Sequence, residues 1–294
     1  MRTVYLGTSE FAAGVLRRLA DSPHRPELVI TRPDRPRGRG RRLASPPVAD
    51  EARTLGIPLD QPRTVNDGAA RERIAAARPE TICVCAFGAL IKDPLLSEYP
   101  ILNVHPSLLP RWRGAAPIER AIVAGDERTG VSIMRLTAGL DSGPVCAQEV
   151  EPILPDDTYG ALAPRLERLS GELLVRVLDQ QPPCVEQDES LATYADKITA
   201  ADRRLDPGRS AAELERVVRA LAPHIGAQIE LADGAVVGVY AARAVDAGPP
   251  PGTVSLDGPR PVFGCAGGGL ELLVVKPPGR REMSGEAWLR GLRR

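Results

Sequence analysis

The chain of 294 residues is poor in several residue types that carry common functions. It has three lysines (92, 197 and 276), three histidines, five cysteines and only 3% aromatic residues. Nearly all positive charge is therefore arginine, and 38 basic residues are balanced by 38 acidic ones. At zero net charge the molecule as a whole is not a nucleic-acid binder, and any such site must be a local patch. The cysteines (83, 85, 146, 184, 265) form no C-x-x-C pair and have no histidine at metal-ligand spacing, so no metal is expected. Cys83 and Cys85 lie in the apolar run 82–87, where cysteine acts as a small hydrophobe. The odd count and wide scatter of the cysteines argue against a disulfide framework and suit a reducing cytoplasm. No window approaches the length of a membrane span, and the chain enters a strand at 3–6 without the charged and apolar segments of an export signal. A cytoplasmic monomer with no membrane contact is expected.

What is present is ordinary globular composition, 43% hydrophobic and 26% charged, in a chain long enough for two domains. Strands are expected at 3–6, 27–31, 81–86, 101–105 and 130–136. Between and around them, helices are expected at 10–20, 47–55, 69–77 and 116–124. Phe11, Val15, Leu16 and Leu19 have helical spacing, and Pro47 suits a first helical turn. This alternation predicts an α/β fold, a doubly wound, Rossmann-like, mostly parallel sheet. Gly7-Thr8-Ser9 is not a G-x-G-x-x-G fingerprint, so it reads as a tight turn and no dinucleotide is inferred. A long amphipathic helix at 158–180 closes this domain, and residues 181–190, polar with paired prolines, read as a linker. After a helix at 211–221 come short β-like runs at 227–231, 236–242, 252–256 and 270–275. They predict a small C-terminal β-barrel of OB-like type. The expected division is 1–187 for the catalytic domain, 188–205 for the linker and 206–294 for the β domain.

The most informative stretch is 103–117, which begins as a buried strand and breaks at Pro106. Alternate residues of a strand share a face, so Asn103 and His105 point the same way. An amide and an imidazole converging at a strand end suit the stabilisation of an oxyanion during acyl transfer. Asp141, after the strand ending near 136, is expected at the same carboxyl edge of the sheet, where open α/β folds place their sites.

Asn103-Val104-His105, followed by Ser107-Leu108-Leu109-Pro110 and Arg111-Trp112-Arg113-Gly114-Ala115-Ala116-Pro117, resembles the core signature of the folate-dependent formyltransferases. The Trp-Arg-Gly-Ala-Ala-Pro version is most similar to the members that act on methionyl-tRNA. Gly139-Leu140-Asp141-Ser142-Gly143-Pro144 is similar to the family's second signature, which supplies an aspartate. Weaker matches follow in collinear order at 7–11, 32–40, 86–88, 193–198 and 277–281.

The resemblance implies formyl transfer from 10-formyltetrahydrofolate to the α-amino group of methionine on initiator tRNA, a step of translation initiation. Asn103, His105 and Asp141 would be the catalytic residues. Asp141 would either take the amine's proton, directly or through water, or hold His105 in its charged form. Ser107, Leu108, Leu109 and Pro110 would form the folate-contacting turn, and Phe87, Gly88 and Leu90 would line the pterin pocket. For Arg111, Trp112 and Arg113 two roles stay open, ligand contact or loop packing with cation–π contacts. The loop 32–42 holds six arginines, and the family grips the tRNA acceptor arm there, with Arg39 as the matching arginine. Arg35, Arg37, Arg39, Arg41 and Arg42 are thus expected to contact tRNA, joined by Arg280 and Arg281 in the second domain.

That second domain departs most from the family pattern. From 206 to 294 it has eleven basic and ten acidic residues, where the family's β domain tends to be basic, and few aromatics for base stacking. The alternatives are a formyltransferase acting on a sugar amine, a hydrolase that deformylates the folate, and a binding protein without turnover.

Overall fold

The structure, a computed structural model, describes residues 1–37 and 42–292, with the side chains of Arg37 and Arg42 outside that description. Two compact units are present. The first comprises Met1–Gly114, Arg128–Pro152 and Ala163–Tyr194, and the second Ala115–Glu127, Ile153–Leu162 and Ala195–Arg294.

The first unit is built on a seven-stranded sheet. Its strands are β1 (Thr3–Gly7), β2 (Pro26–Ile30), β3 (Leu59–Asp60), β4 (Thr81–Cys85), β5 (Ile101–His105), β6 (Arg128–Arg135) and β7 (Val145–Pro152). Their order is β7-β6-β5-β4-β1-β2-β3. The pairs from β3 to β5 are parallel, and β6 and β7 are antiparallel additions. Every residue of β1, β4 and β5 is buried, as expected of strands covered on both faces. On one face Val4 and Leu6 pack with Ile30, Ile82, Val84 and Ile74, the last from the helix Gly68–Ala77. On the other face the Tyr5 hydroxyl donates to the Ala12 carbonyl at 2.6 Å, in the helix Glu10–Ala20. The sheet is therefore doubly wound.

Local chemistry sets the first crossover. The Ser9 hydroxyl caps the helix by accepting from the Ala12 N–H. A Cβ on Gly7 would lie 2.8 Å from the Tyr5 ring and 3.1 Å from the Cys85 carbonyl, so the glycine serves a close approach of chains. The chain runs from β1 outward to β3, then jumps across β1 to β4, which puts a topological switch point at the carboxyl ends of β1 and β4.

Several elements depart from the sequence reading, among them the strands Leu59–Asp60 and Val262–Cys265. The strand β7 was not expected, because Gln148 on one face and Glu149 and Glu151 on the other break the apolar alternation and have weak β propensity. The arginine loop carries a two-stranded pairing of Arg35–Arg37 with Arg42–Ala44.

In the second unit Ala227–Glu230, Val236–Val245, Gly268–Lys276, Val262–Cys265 and Val254–Ser255 form an antiparallel sheet in that order, and Met283–Ser284 pairs with Gly268–Lys276. The amphipathic helix Ala211–Leu221 contributes Leu214, Val217, Val218 and Leu221 to a core with Val239, Phe263, Leu272 and Trp288. Its N-terminus is closed by a capping box between Ser210 and Glu213.

Candidate active site

β5 delivers Asn103 and His105 to one place, 9% and 4% exposed. Asp141 reaches them by a route other than the one expected. Because β6 runs antiparallel to β5, Arg135 lies beside Leu102 and Ser132 beside His105. The end of β6 is thus at the amino-terminal end of β5, and the loop 136–144 must double back to bring its aspartate to the site. Asp141 adopts a left-handed backbone (φ 46°) in that loop.

The Asp141 carboxylate then joins three partners. Oδ1 accepts from the Asn103 amide at 3.3 Å, Oδ2 accepts from the Gly114 backbone N–H at 2.9 Å, and Oδ2 lies 3.6 Å from His105 Nδ1. His105 Nε2 is 2.8 Å from the Trp112 carbonyl. A carbonyl oxygen only accepts, so Nε2 carries a hydrogen. Nδ1 faces the Asp141 carboxylate. Both ring nitrogens are therefore directed at protein groups, and the Asn103 amide keeps a second N–H beyond the one given to Asp141. Sequence reading did not foresee the Trp112 carbonyl or the Gly114 N–H, since backbone groups leave no mark in a motif.

In the flanking loop, Arg113 takes the packing role of the two left open. Arg113 is 2% exposed, and its guanidinium takes both carboxylate oxygens of Glu189 (2.7 and 2.8 Å) together with Gln187 Oε1. The same bonds hold the Glu189 carboxyl below its ordinary range. Arg113 is a packing residue. Arg111 is exposed and stands over the Trp112 ring at 4.4 Å, a cation–π contact.

The turn at 107–110 is braced from within. Ser107 Oγ donates to the Arg111 carbonyl at 2.6 Å, and Ser132 Oγ donates to the Ser107 carbonyl at 2.6 Å. Ser132 Oγ in turn accepts from the Leu109 N–H at 3.0 Å, and Gln148 Nε2 donates to the Leu109 carbonyl at 2.8 Å. Ser107 and Leu109 are buried, while Leu108 and Pro110 are half-buried. Phe87 is a core residue whose carbonyl accepts from the Thr8 hydroxyl, whereas Gly88 and Leu90 are exposed.

Arg32 donates to the Gly88 carbonyl at 2.7 Å, and Arg35 is exposed. Arg39 and Arg41, and the side chains of Arg37 and Arg42, lie outside the described residues. In the second unit Arg280 and Arg281 are exposed, and Arg280 lines a cavity of about 290 Å³ with Met283 and Trp288.

The stretch 181–190, read as a linker, is anchored in the first unit. Val185 and Val145 exchange two backbone hydrogen bonds (2.8 and 2.9 Å), and Cys184 forms a disulfide with Cys146. The pairing corrects the expectation of no disulfide: 38 residues separate the two cysteines in sequence, and only the pairing beside β7 brings them together. Cysteine usage consequently says nothing of compartment. Cys83 and Cys85 are buried and reduced, with their thiols pushed up to about 12 by burial, which makes them unreactive. Among the described residues no group of three or more metal-ligating side chains occurs, and no helix is long and apolar enough to cross a membrane.

Residues 1–178 match the family model described as formyl transferase, and residues 197–293 match that of the formyl transferase C-terminal domain. The chain is 42% identical to the methionyl-tRNA formyltransferase of Methylococcus capsulatus over 298 residues, covering 98% of this chain and 96% of that protein. The chain belongs to the methionyl-tRNA formyltransferase family. Solved structures agree on the fold. The methionyl-tRNA formyltransferase of Clostridium thermocellum superposes with a TM-score of 0.60 at 14% identity, over 83% of this chain and 93% of that one. HypX from Aquifex aeolicus, in complex with tetrahydrofolic acid, gives 0.68 at 17% identity, over 98% of this chain and 47% of that one.

Proposed function

We infer that the chain transfers the formyl group of 10-formyltetrahydrofolate to the α-amino group of methionine on initiator methionyl-tRNA. Family membership supports the overall reaction. The observation that carries the site is the Asp141 carboxylate shared by Asn103, Gly114 and His105. In the proposed reaction the amine attacks the formyl carbon and a carbon–nitrogen bond forms while charge collects on the formyl oxygen. The second N–H of Asn103 meets that oxygen, with His105 beside Asp141 at the same strand end. The amine then gives a proton to Asp141, directly or through water, and the bond to N10 of the folate breaks with N10 taking up a proton.

Folate recognition falls to the turn at 107–110 and to the segment of Phe87, Gly88 and Leu90. Exposed backbone at Gly88 beside the exposed apolar side chain of Leu90 suits a flat heteroaromatic ring. For tRNA, the arginines 35, 37, 39, 41 and 42 hold acceptor-arm phosphates, and Arg280 and Arg281 add a contact from the second domain. We take 1–187 as the catalytic domain, 188–205 as the linker and 206–294 as the tRNA-assisting domain of a cytoplasmic monomer. A sugar amine as acceptor would leave the arginine loop without a role.

The test supplies purified protein with 10-formyltetrahydrofolate and either methionyl initiator tRNA, an amino sugar, or no acceptor. Formyl-methionyl-tRNA is the expected sole product. Comparable formylation of the sugar, or release of formate without an acceptor, would contradict the reading.

A further inference from the structure

We propose that Gln187 is a positioning residue for formyl transfer, a clamp that holds the Asp141 loop in its working place. The inference rests on the reading of Asp141 as catalytic. Its starting point is the route of the chain: the loop 136–144 leaves β6 at the wrong end of β5 and has to return. Something must hold the returned loop, in which Asp141 has a left-handed backbone.

The Gln187 amide does so from outside the loop. Its Nε2 donates to the Asp141 carbonyl at 2.8 Å and to the Gly143 carbonyl at 2.7 Å, using both amide hydrogens. Its Oε1 accepts from Arg113 Nε at 3.1 Å and Nη2 at 2.8 Å. Arg113 precedes Gly114, whose N–H donates to the Asp141 carboxylate. A closed ring results: carboxylate to Gly114, along the chain to Arg113, through Gln187, and back to the Asp141 carbonyl. Gln187 itself is fixed by the Val145–Val185 pairing, the Cys146–Cys184 bond and the Glu189–Arg113 ion pair on its two sides. An amide with all four positions engaged has one geometry, and displacement of a reacting group by about 1 Å can cost about a hundredfold in rate.

Two variants separate the clamp from simple bulk. Gln187→Met keeps the volume and removes every hydrogen bond. Gln187→Glu keeps acceptors for Arg113 but turns oxygen against the two loop carbonyls. Both are expected to lower kcat at least tenfold, with KM for folate and for methionyl-tRNA within about twofold of the parent, and to move the pH profile of kcat. Thermal melts and Asp141→Asn are measured alongside. A Gln187→Glu rate within twofold of the parent, or a loss confined to KM, overturns the clamp. If Asp141→Asn is inactive and the Gln187 variants are not, the clamp alone fails. If Asp141→Asn keeps the parent rate, the reading of the site fails with it.

Discussion

At the scale of single residues, the site divides its work between side chains that a motif names and backbone groups that it does not. Asn103 is a neutral donor with an N–H beyond the one given to Asp141, while His105 is turned toward the Trp112 carbonyl and Asp141. Asn103→Ala is accordingly expected to cut turnover by about 10²–10³ while leaving the KM for folate nearly unchanged, read by steady-state kinetics. That Asn103, His105 and Asp141 come together was legible because motif side chains recur at fixed spacing. The roles of Gly114, Trp112 and Gln187 were not legible. Two act through main-chain atoms, and the third stands 46 residues from its partner in a polar, proline-bearing stretch. For Arg113 the sequence left ligand contact and loop packing open, and the side chain is buried on Glu189.

At the scale of elements, the helix and strand ends that carry chemical signals fell where expected. Glu10–Ala20 and Ala211–Leu221 are closed by Ser9 and Ser210, and Pro47–Leu55 by its proline start. β7 escaped notice because polar residues on both faces, Gln148 on one and Glu149 and Glu151 on the other, remove the alternation that marks a half-buried strand. The direction of β6 escaped too, since a strand's sequence does not state its sense, and with it went the expected path to Asp141. In the second unit the short helix Ala200–Arg203 is held by Asp202, which accepts from Arg120 at 2.8 Å and from both the hydroxyl and N–H of Thr199. These bonds, the Arg120 one foremost, lower its carboxyl to about 2. An unfolded aspartate titrates near 3.9, so this stabilisation is present above about pH 4 and is lost as pH falls toward 2. Asp202→Asn should lower the melting temperature at pH 7 and narrow its difference from the parent steadily between pH 4 and pH 2. An equal difference at both ends would contradict the assignment.

At the scale of the whole molecule, a chain of zero net charge must bind a polyanion through patches. In the proposed reading the arginine loop at 32–42 and the pair Arg280 and Arg281 are those patches. Raising the salt concentration should therefore raise the KM for methionyl-tRNA steeply and leave that for folate almost level. Arg39→Ala should raise the KM for tRNA and reduce that salt slope, with folate binding unaffected. These expectations concern how the substrate is gripped; the chemistry itself converges on one carboxylate. The most direct measurement is single-turnover formyl transfer by Asp141→Asn, with folate binding measured on the same protein. An asparagine retains an acceptor for the Gly114 N–H but carries no charge toward His105 and takes no proton. The rate is predicted to fall by about 10²–10⁴ with folate affinity unchanged. A transfer rate near that of the parent would contradict the account.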